Sequence, residues 1–260
     1  MLLKQRVAMV TGGGTGIGLA IAQAYLREGA QVAIASRDRT HLQAASAAAR
    51  ALGQDLMAIQ LDVTDSAAVR EAVESIEKRY ARIDILVNNA GLSGRTPMSE
   101  QDDSRWLAIL ATNLNGAYFC SKHALRFMKD GDGRIINMSS VLGRFGVPGY
   151  SAYCTAKHGI LGFTKALALE VAARGITVNA ICPTWVDTPM ARQGIAETAE
   201  VLGVTPEEFR RQAIHAVPIG RMVTASEVAD LAVYLASPAA AAITGQGVNI
   251  CGGATAAAAG

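Results

Sequence analysis

The chain has 260 residues, half of them hydrophobic, and its 24 basic and 22 acidic residues leave a formal net charge of +2. Because these charges are interspersed and form no basic block, the composition does not support binding to nucleic acids or other polyanions. The length suits one large α/β domain, and the hydrophobic content is sufficient for a sheet covered on both faces.

Short apolar strands alternate with helical segments along the chain. The predicted strands are 6–11, 31–36, 56–61, 83–88, 134–137, 177–182 and 247–251. The predicted helical segments are one that ends near residue 28, then 39–52, 66–80, 99–128, one that begins near 151, 189–217 and 225–235. This alternation predicts a Rossmann-type, doubly wound parallel sheet of about seven strands with helices on both faces. We expect one α/β domain over 1–253 and a low-complexity tail over 254–260.

A glycine-rich turn follows the first strand and has the pattern TGxxxGxG, which differs from the usual GxGxxG spacing. Glycines there let the backbone turn tightly and approach a pyrophosphate, whose charge then lies at the N-terminus of the next helix. Alone, such a cluster could be a mere tight turn, but the strand before it and the helix after it predict a dinucleotide site. The residues expected to contact the dinucleotide are Gly12, Thr15, Gly16, Ile17 and Gly18.

The end of the second strand distinguishes between the two nicotinamide dinucleotides. An NAD site usually offers a carboxylate there, which accepts a hydrogen bond from the ribose 2′-hydroxyl. This chain has Ser36 and Arg37 instead, and its first acid is Asp38. A guanidinium can grip a 2′-phosphate that a carboxylate would repel, so the sequence favours NADP(H), while NAD(H) stays possible. The alternative is that Arg37 only begins the next helix in solvent, with Asp38 as its cap.

Polar residues also follow the third and fourth strands. Asp62 and Val63 lie where the adenine of a bound dinucleotide would rest, although Asp62 could equally cap the following helix. Two adjacent amides end the fourth strand, and we expect the first, Asn88, to brace the central strands. The residues expected to line the cofactor crevice are Asn89, Ala90 and Gly91.

Asn113 falls inside the helical stretch 99–128. A polar Asn in a helix competes with the backbone and can bend the helix or hold a water, and a water there could connect Lys157 to solvent. On spacing alone, a local helix irregularity is the better interpretation.

The stretch 133–157 carries the most specific chemistry. Tyr153 and Lys157 lie four residues apart, so they share one face of a helix, and Ser140 ends a strand at the edge where parallel sheets place ligands. A nearby ammonium is expected to lower the phenol's pKa toward the working range, and the serine hydroxyl can hold a carbonyl oxygen. An isolated Tyr-x-x-x-Lys is more often an ordinary helix pair, but the rest of this chain reverses that judgement.

The loop after the sixth strand is confined by two prolines. Its residues expected to contact the cofactor are Pro183, Val186 and Thr188, the last by a hydrogen bond to a carboxamide. The segment 189–217 would make a lid over a substrate. Together with Trp185, its apolar side chains suggest a partly apolar cleft, although core packing explains them equally well.

The four cysteines and four histidines are scattered without CxxC or metal-ligand spacing, so we expect reduced thiols and no metal site. No basic-then-apolar signal sequence is evident, and no apolar run reaches the roughly 18 residues of a membrane helix. We therefore expect a cytoplasmic protein that binds neither membrane nor nucleic acid.

Several motifs, in their order along the chain, resemble the short-chain dehydrogenase/reductase family over essentially the whole chain. They are TGGGTGIG at 11–18, NNAG at 88–91, Asn113, Ser140 and Tyr153-x-x-x-Lys157. The resemblance implies a catalytic tetrad. Tyr153 would be the general acid/base and Ser140 would position the substrate oxygen. Lys157 would bind the nicotinamide ribose and lower the pKa of Tyr153, and Asn113 would hold a relay water. One departure is Pro183-Thr184, where the family commonly has Pro-Gly, so a side chain at 184 narrows the nicotinamide approach.

The C-terminal third is similar to ketoreductases of β-ketoacyl and polyketide thioesters, and to 3-hydroxyacyl dehydrogenases. This similarity implies an NADP(H)-dependent ketoreductase acting on a small carbonyl or alcohol substrate, assembled as a homotetramer or homodimer. The predicted helix after residue 151 supports assembly, because it carries apolar side chains on more than one face. The alternatives are an NAD-dependent dehydrogenase of a 3-hydroxy acid or secondary alcohol, and a catalytically silent dinucleotide-sensing scaffold. The intact set of Ser140, Tyr153 and Lys157 argues against the scaffold.

Overall fold

The computed structural model describes residues 1–99 and 101–256. Within them, seven strands form one parallel sheet in the order β3-β2-β1-β4-β5-β6-β7. The strands are β1 (Val7–Thr11), β2 (Gln31–Ser36), β3 (Leu56–Gln60), β4 (Ile85–Asn88), β5 (Arg134–Met138), β6 (Thr177–Pro183) and β7 (Gly247–Ile250). The predicted Rossmann-type fold is confirmed. The strand order reverses between β1 and β4, which is the position where open α/β sheets bind ligands.

Helices cover both faces of this sheet. They are α1 (Gly16–Arg27), α2 (Arg39–Ala51), α3 (Ser66–Tyr80), α4 (Ser104–Leu110), α5 (Gly116–Ala124), α6 (Ser151–Val171), α7 (Pro189–Leu202), α8 (Pro206–His215) and α9 (Ala225–Ala236). One core cluster joins α1, α2 and α9 to the sheet, and the other joins α3, α5 and α6 to the opposite face. The central strands β1, β4, β5 and β6 are buried along their whole length, and most of their residues are apolar, as a sheet covered on both faces requires. No described helix has the combination of length and hydropathy that a bilayer span needs.

The predicted helix 99–128 is wrong in its extent and continuity. Helix α4 begins only at Ser104, and a π-helical turn, Ala111–Asn115, separates it from α5, which ends at Ala124. Asn113 lies within this turn, and its Oδ1 accepts a hydrogen bond from the Leu92 backbone N–H at 2.7 Å. Its Nδ2 donates to the Leu92 carbonyl at 2.8 Å. The predicted irregularity at Asn113 is therefore confirmed, and its cause is this side-chain attachment to the loop after β4.

The predicted segment 189–217 forms two helices rather than a continuous one. Helix α7 ends at Gly203, whose φ of 66° is left-handed, and Thr205 then caps α8 through a reciprocal contact with Glu208. At the other end of the chain, most of the predicted tail, residues 257–260, lies outside the described residues.

A buried polar chain links the middle of the sheet to the helices behind it. Asn88 Nδ2 donates to Asn137 Oδ1 at 2.8 Å and to Ser121 Oγ at 2.9 Å. Asn137 Nδ2 donates in turn to Thr164 Oγ1 at 2.9 Å. This series of hydrogen bonds crosses from β4 through β5 to α6, so the structure confirms that Asn88 braces the central strands.

We expect Asn137→Ala to lower the free energy of unfolding by about 2–4 kcal/mol, because it removes the two buried side-chain hydrogen bonds that Asn137 makes with Asn88 and Thr164. Urea denaturation measures the change. The matched control is Asn115→Ala on the exposed side of the π turn, which should stay within about 0.5 kcal/mol of the wild type. Equal losses in the two variants would contradict a bracing role.

Candidate active site

A cavity of about 1040 Å³ opens at the carboxyl edge of the sheet, over the switch point between β1 and β4. One part of its wall, the glycine-loop half, is formed by residues within 12–17, 35–41, 61–63 and 89–91. The other part, the apolar half, is formed by residues within 92–95, 141–150 and 189–217. Ser140, Tyr153 and Lys157 lie where the two halves meet.

Most of the predicted site residues line this cavity. Those that do are Gly12, Thr15, Gly16, Ile17, Ser36, Arg37, Asp62, Val63, Asn89, Ala90, Gly91, Ser140, Tyr153, Lys157, Pro183, Val186 and Thr188. Two predicted residues, Gly18 and Asn113, do not reach its wall.

The glycine turn is fastened to the end of β4. Asn89 Nδ2 donates to the carbonyls of Thr11 at 3.0 Å and Gly12 at 3.2 Å. The Thr11 hydroxyl accepts from the backbone N–H groups of Asn89 and Ala90, both at 3.0 Å. The turn itself needs glycine, since Gly12 and Gly16 have φ values of 65° and 54°. These contacts hold the backbone of the turn against the cavity.

The sequence predicts Gly18 as a dinucleotide contact, and in the structure this residue packs against the glycine turn. A Cβ atom at this position would overlap both the Gly12 carbonyl oxygen and Asn89 Nδ2. Gly18 therefore allows α1 to pack directly onto the turn, and it lies behind the cavity wall rather than in it.

At the far end of the glycine-loop half, Arg37 is more than half exposed, and its Nη1 lies 3.9 Å from Asp62 Oδ2. Asp38 caps α2, accepting from the N–H groups of Thr40 at 2.7 Å and His41 at 3.2 Å. The capping role foreseen for Asp38 is thus present. Arg37, however, precedes the helix and lines the cavity, so it is free to contact a ligand.

The carboxylate of Asp62 is not the cap of α3, because Asp65 occupies that position and accepts from Ala67 N–H at 2.8 Å. Asp62 instead accepts from the Thr64 backbone at 2.9 Å and from the Thr64 hydroxyl at 2.8 Å. Partial burial opposes its ionisation, but the Thr64 hydrogen bonds and the charge of Arg37 together lower its pKa.

The lysine of the predicted tetrad is enclosed. Lys157 is 4% exposed, and its Nζ donates to the Met138 carbonyl at 2.8 Å. The same Nζ lies 5.4 Å from the centroid of the Tyr153 ring. Ser139 Oγ donates to the Lys157 carbonyl at 2.9 Å, which ties α6 to the end of β5. Burial lowers the pKa of Lys157 to about 8, although the nearby Cys182 opposes this change.

The pKa of Tyr153 moves opposite to the sequence-based expectation. Burial raises it to about 12, and the neighbouring Ser140 hydroxyl offsets only part of that rise. The physical reason is that the protein around the ring disfavours the phenolate more than the surrounding dipoles and charges favour it. Tyr153 therefore keeps its proton through neutral pH and is a proton donor in this state.

Asn113 stays separate from this group. Its side chain holds the Leu92 backbone from behind the cavity wall, so its described contacts shape the loop that begins the apolar half. The relay water that the resemblance implied stays a prediction.

Aromatic side chains organise the apolar half. Trp185 and Phe209 of α8 contact edge to face, with ring centroids 6.2 Å apart. Tyr150 hydrogen-bonds through its hydroxyl to Thr198 Oγ1 of α7 at 2.8 Å. Helices α7 and α8 thus form part of the cavity wall, and Thr184 lies in the wall at the junction.

Several lining residues were missed by the sequence analysis, among them His41, Arg95, Phe145 and Tyr150. Three of them lie in loops or at a helix boundary, where no periodic pattern exists. The only available signal was their nearness to predicted motifs: Arg95 follows NNAG by four residues and Tyr150 precedes Tyr153 by three.

Comparison with known proteins gives concordant matches. A family model described as enoyl-(acyl carrier protein) reductase matches residues 12–255. The 3-oxoacyl-(acyl-carrier-protein) reductase FabG of Escherichia coli is 38% identical over 254 residues, which is 97% of this chain and 98% of the relative.

Two solved structures share the fold over nearly all of both chains. A variant of actinorhodin polyketide ketoreductase with NADPH has a TM-score of 0.91 and 40% identity, covering 96% of this chain and 97% of that one. Levodione reductase has a TM-score of 0.93 and 31% identity, covering 98% of this chain and all of that one.

The enclosed ammonium predicts a pH-dependent stability. Because the pKa of Lys157 is lowered from 10.5 to about 8 on folding, the unfolded chain binds more protons between these values, and stability rises with pH across that window. Relative to Lys157→Met, the wild type's free energy of unfolding should rise by roughly 2–3 kcal/mol from pH 7 to 10.5.

Urea denaturation at a series of pH values measures this difference. Lys165→Met, at an exposed position of α6, serves as the matched control and should keep the wild-type slope. If stability changed with pH in parallel for the wild type and Lys157→Met, folding would not lower the pKa of Lys157.

Proposed function

Since this chain belongs to the short-chain dehydrogenase/reductase family and is an oxidoreductase, we propose that it reduces a ketone to an alcohol with NADPH. The observation that carries the proposal is the placement of Tyr153, a phenol that keeps its proton, beside the Ser140 hydroxyl on the cavity wall. The printed names of the Escherichia coli reductase and the actinorhodin ketoreductase point to the same reaction class.

The glycine-loop half has the features that a dinucleotide phosphate requires. The turn presents glycine backbone, and α1 begins at Gly16, so the unpaired N–H groups of its first turn face this region. The guanidinium of Arg37 offers charge for a 2′-phosphate. The residues that would hold the dinucleotide are Gly12, Thr15, Gly16, Ile17, Ser36, Arg37, Asp62, Val63, Asn89, Ala90, Gly91, Pro183, Val186 and Thr188. When bound, the reduced nicotinamide supplies the hydride.

The chain's own residues hold the ketone and supply the proton. Ser140 donates a hydrogen bond to the ketone oxygen, and Tyr153 transfers its phenolic proton to that oxygen as the carbinol forms. A pKa of about 12 keeps the proton on Tyr153 until the ketone oxygen gains negative charge.

Lys157 acts on the phenolate that proton transfer leaves behind. Its ammonium, 5.4 Å from the centroid of the Tyr153 ring, attracts the new negative charge. In the proposed complex the same ammonium binds the nicotinamide ribose.

The apolar half favours a substrate with a hydrocarbon body, so we assign β-ketoacyl-like ketones as the substrate class, with α7 and α8 as a lid.

One observation favours the alternative function, an NAD-dependent dehydrogenase of a 3-hydroxy acid or secondary alcohol. Asp62 lies 3.9 Å from Arg37 and partly neutralises the charge that a 2′-phosphate would need.

A homotetramer and a cytoplasmic location remain part of this proposal. Support for assembly comes from apolar side chains that point outward, with Leu107 of α4, Tyr118 of α5 and Leu169 of α6 being 61%, 46% and 82% exposed.

We expect Tyr153→Phe to lower kcat for ketone reduction by about 10²–10⁴-fold, because the proton donor is lost. Its Kd for NADPH should stay within about threefold of the wild type. Turnover is followed by NADPH absorbance with a 3-ketoester, and binding by NADPH fluorescence. Tyr118→Phe, on the outer face of α5, is the matched control and keeps wild-type turnover.

A 2-enoyl thioester is included as a counter-substrate, since the matching family is described as an enoyl reductase. Near-normal ketone reduction by Tyr153→Phe would remove Tyr153 as the acid. Reduction of the enoyl thioester alone would refute the proposed reaction.

The cofactor preference depends on the charge at position 37. We expect Arg37→Asp to raise KM for NADPH by about 10- to 100-fold and to favour NADH, because a carboxylate repels the 2′-phosphate. Arg39→Asp makes the same charge change at the first residue of α2, outside the cavity wall, and should leave the preference nearly unchanged. An unaltered NADPH/NADH ratio in Arg37→Asp would show that Arg37 does not set the cofactor preference.

A further inference from the structure

One cation in the apolar half has no counter-charge among the residues that the structure describes. Of the described residues that form this half of the cavity wall, Arg95 is the one that carries a charged side chain. The charged groups elsewhere on the wall, Arg37, Asp38, Asp62 and Lys157, belong to the glycine-loop half or to the junction. The other described residues of this half carry mainly hydrocarbon and aromatic side chains.

The guanidinium is held by packing rather than by an ion pair. It lies over the Tyr150 ring, 5.8 Å from the centroid, and a Cβ atom on Gly149 would come within 2.7 Å of its Nη2. Gly149 has a φ of 78°, which favours glycine at this position. Within the part of the chain that the structure describes, no carboxylate pairs with Arg95 and no group accepts a hydrogen bond from it. By contrast, nearby Arg105 pairs with Glu197 at 2.8 Å.

The loop that carries Arg95 is fixed to the start of α6. The next residue, Thr96, is 7% exposed, and its N–H donates to the Gly149 carbonyl at 2.7 Å. Its hydroxyl accepts from the Ala152 N–H at 3.0 Å, and Ser151 Oγ donates to its carbonyl at 2.8 Å. These bonds hold Arg95 beside Tyr150, whose position precedes Tyr153 by about one helical turn.

We propose that Arg95 binds an anionic group carried by the ketone, so that the substrates of this enzyme combine an apolar body with a carboxylate or phosphate. The inference rests on the proposed function and names its substrate class. The guanidinium of Arg95 is partly exposed to the cavity, and its donor fork matches the paired oxygens of either anion. Arg95 binds and positions the substrate and takes no part in proton or hydride transfer.

The test compares the wild type, Arg95→Gln and Arg95→Lys on two matched substrate pairs with NADPH. The first pair is 3-oxooctanoate and its methyl ester, and the second is the coenzyme A and N-acetylcysteamine thioesters of the same acid. In Arg95→Gln, KM for at least one anionic member should rise about 10- to 100-fold with kcat within about threefold, while its neutral partner is unaffected. Arg95→Lys should recover part of the loss.

The two pairs separate the sources of the anion. A loss confined to the free acid assigns the substrate's own carboxylate, and a loss confined to the coenzyme A thioester assigns a phosphate of the carrier. Arg105→Gln, which removes a paired guanidinium outside the cavity, is the control and should change neither pair. Equal effects of Arg95→Gln on charged and neutral partners, or no effect on either pair, would overturn the proposal.

A binding measurement keeps this test independent of turnover. Trp185 lies in the cavity wall, so quenching of tryptophan fluorescence reports the Kd of 3-hydroxyoctanoate and of its methyl ester. Arg95→Gln should weaken binding of the acid alone, and unchanged binding of the acid would contradict the role of Arg95. If the wild type reduces none of the four ketones, the proposed function fails, while the binding result still decides whether Arg95 recognises an anion.

Discussion

The enclosure of one ammonium group at the end of β5 is the constraint on which the rest of the site depends. Lys157 is almost fully buried with the Met138 carbonyl as its hydrogen-bond acceptor, and burial lowers its pKa to about 8. The surrounding backbone is built closely around it, since a Cβ atom on Gly143 would come within 2.7 Å of the Lys157 carbonyl. This packing fixes the start of α6 against β5 and so places Tyr153 beside Ser140. A strained charge of this kind is typical of sites where function outweighs local stability.

Charged side chains are distributed unequally along the cavity wall, and their distribution suggests where the dinucleotide and the substrate would bind. The glycine-loop half offers Arg37 and Asp62 around backbone N–H groups, which suits a phosphate-rich dinucleotide. The apolar half offers hydrocarbon surface and the guanidinium of Arg95. The junction between them holds a phenol that keeps its proton and a hydroxyl that can share the same oxygen. In the proposed reaction the glycine-loop half holds the dinucleotide, the apolar half holds the ketone, and the two ligands meet at Tyr153.

The fold was predictable because apolar strands and amphipathic helices alternate strictly, and that pattern leaves few topologies open. The residues predicted for the cofactor and the chemistry largely do line the cavity, because they follow the ends of strands, as Ser140 and Asn89 do. Features that depend on packing in the folded protein could not be predicted from residue spacing. Gly18 serves helix packing, and the pKa of Tyr153 follows its burial, which no spacing reveals. Arg95 was missed for the same reason, since only the folded loop brings it over Tyr150.

The most direct test of the account is a crystal structure of the protein with NADPH and a bound 3-hydroxyester product. The account predicts that Tyr153 Oη and Ser140 Oγ both lie within hydrogen-bonding distance, about 2.6–3.2 Å, of the carbinol oxygen. It also predicts that Lys157 Nζ contacts the nicotinamide ribose. A carbinol oxygen bound away from Tyr153, with Lys157 out of reach of the cofactor, would contradict the account.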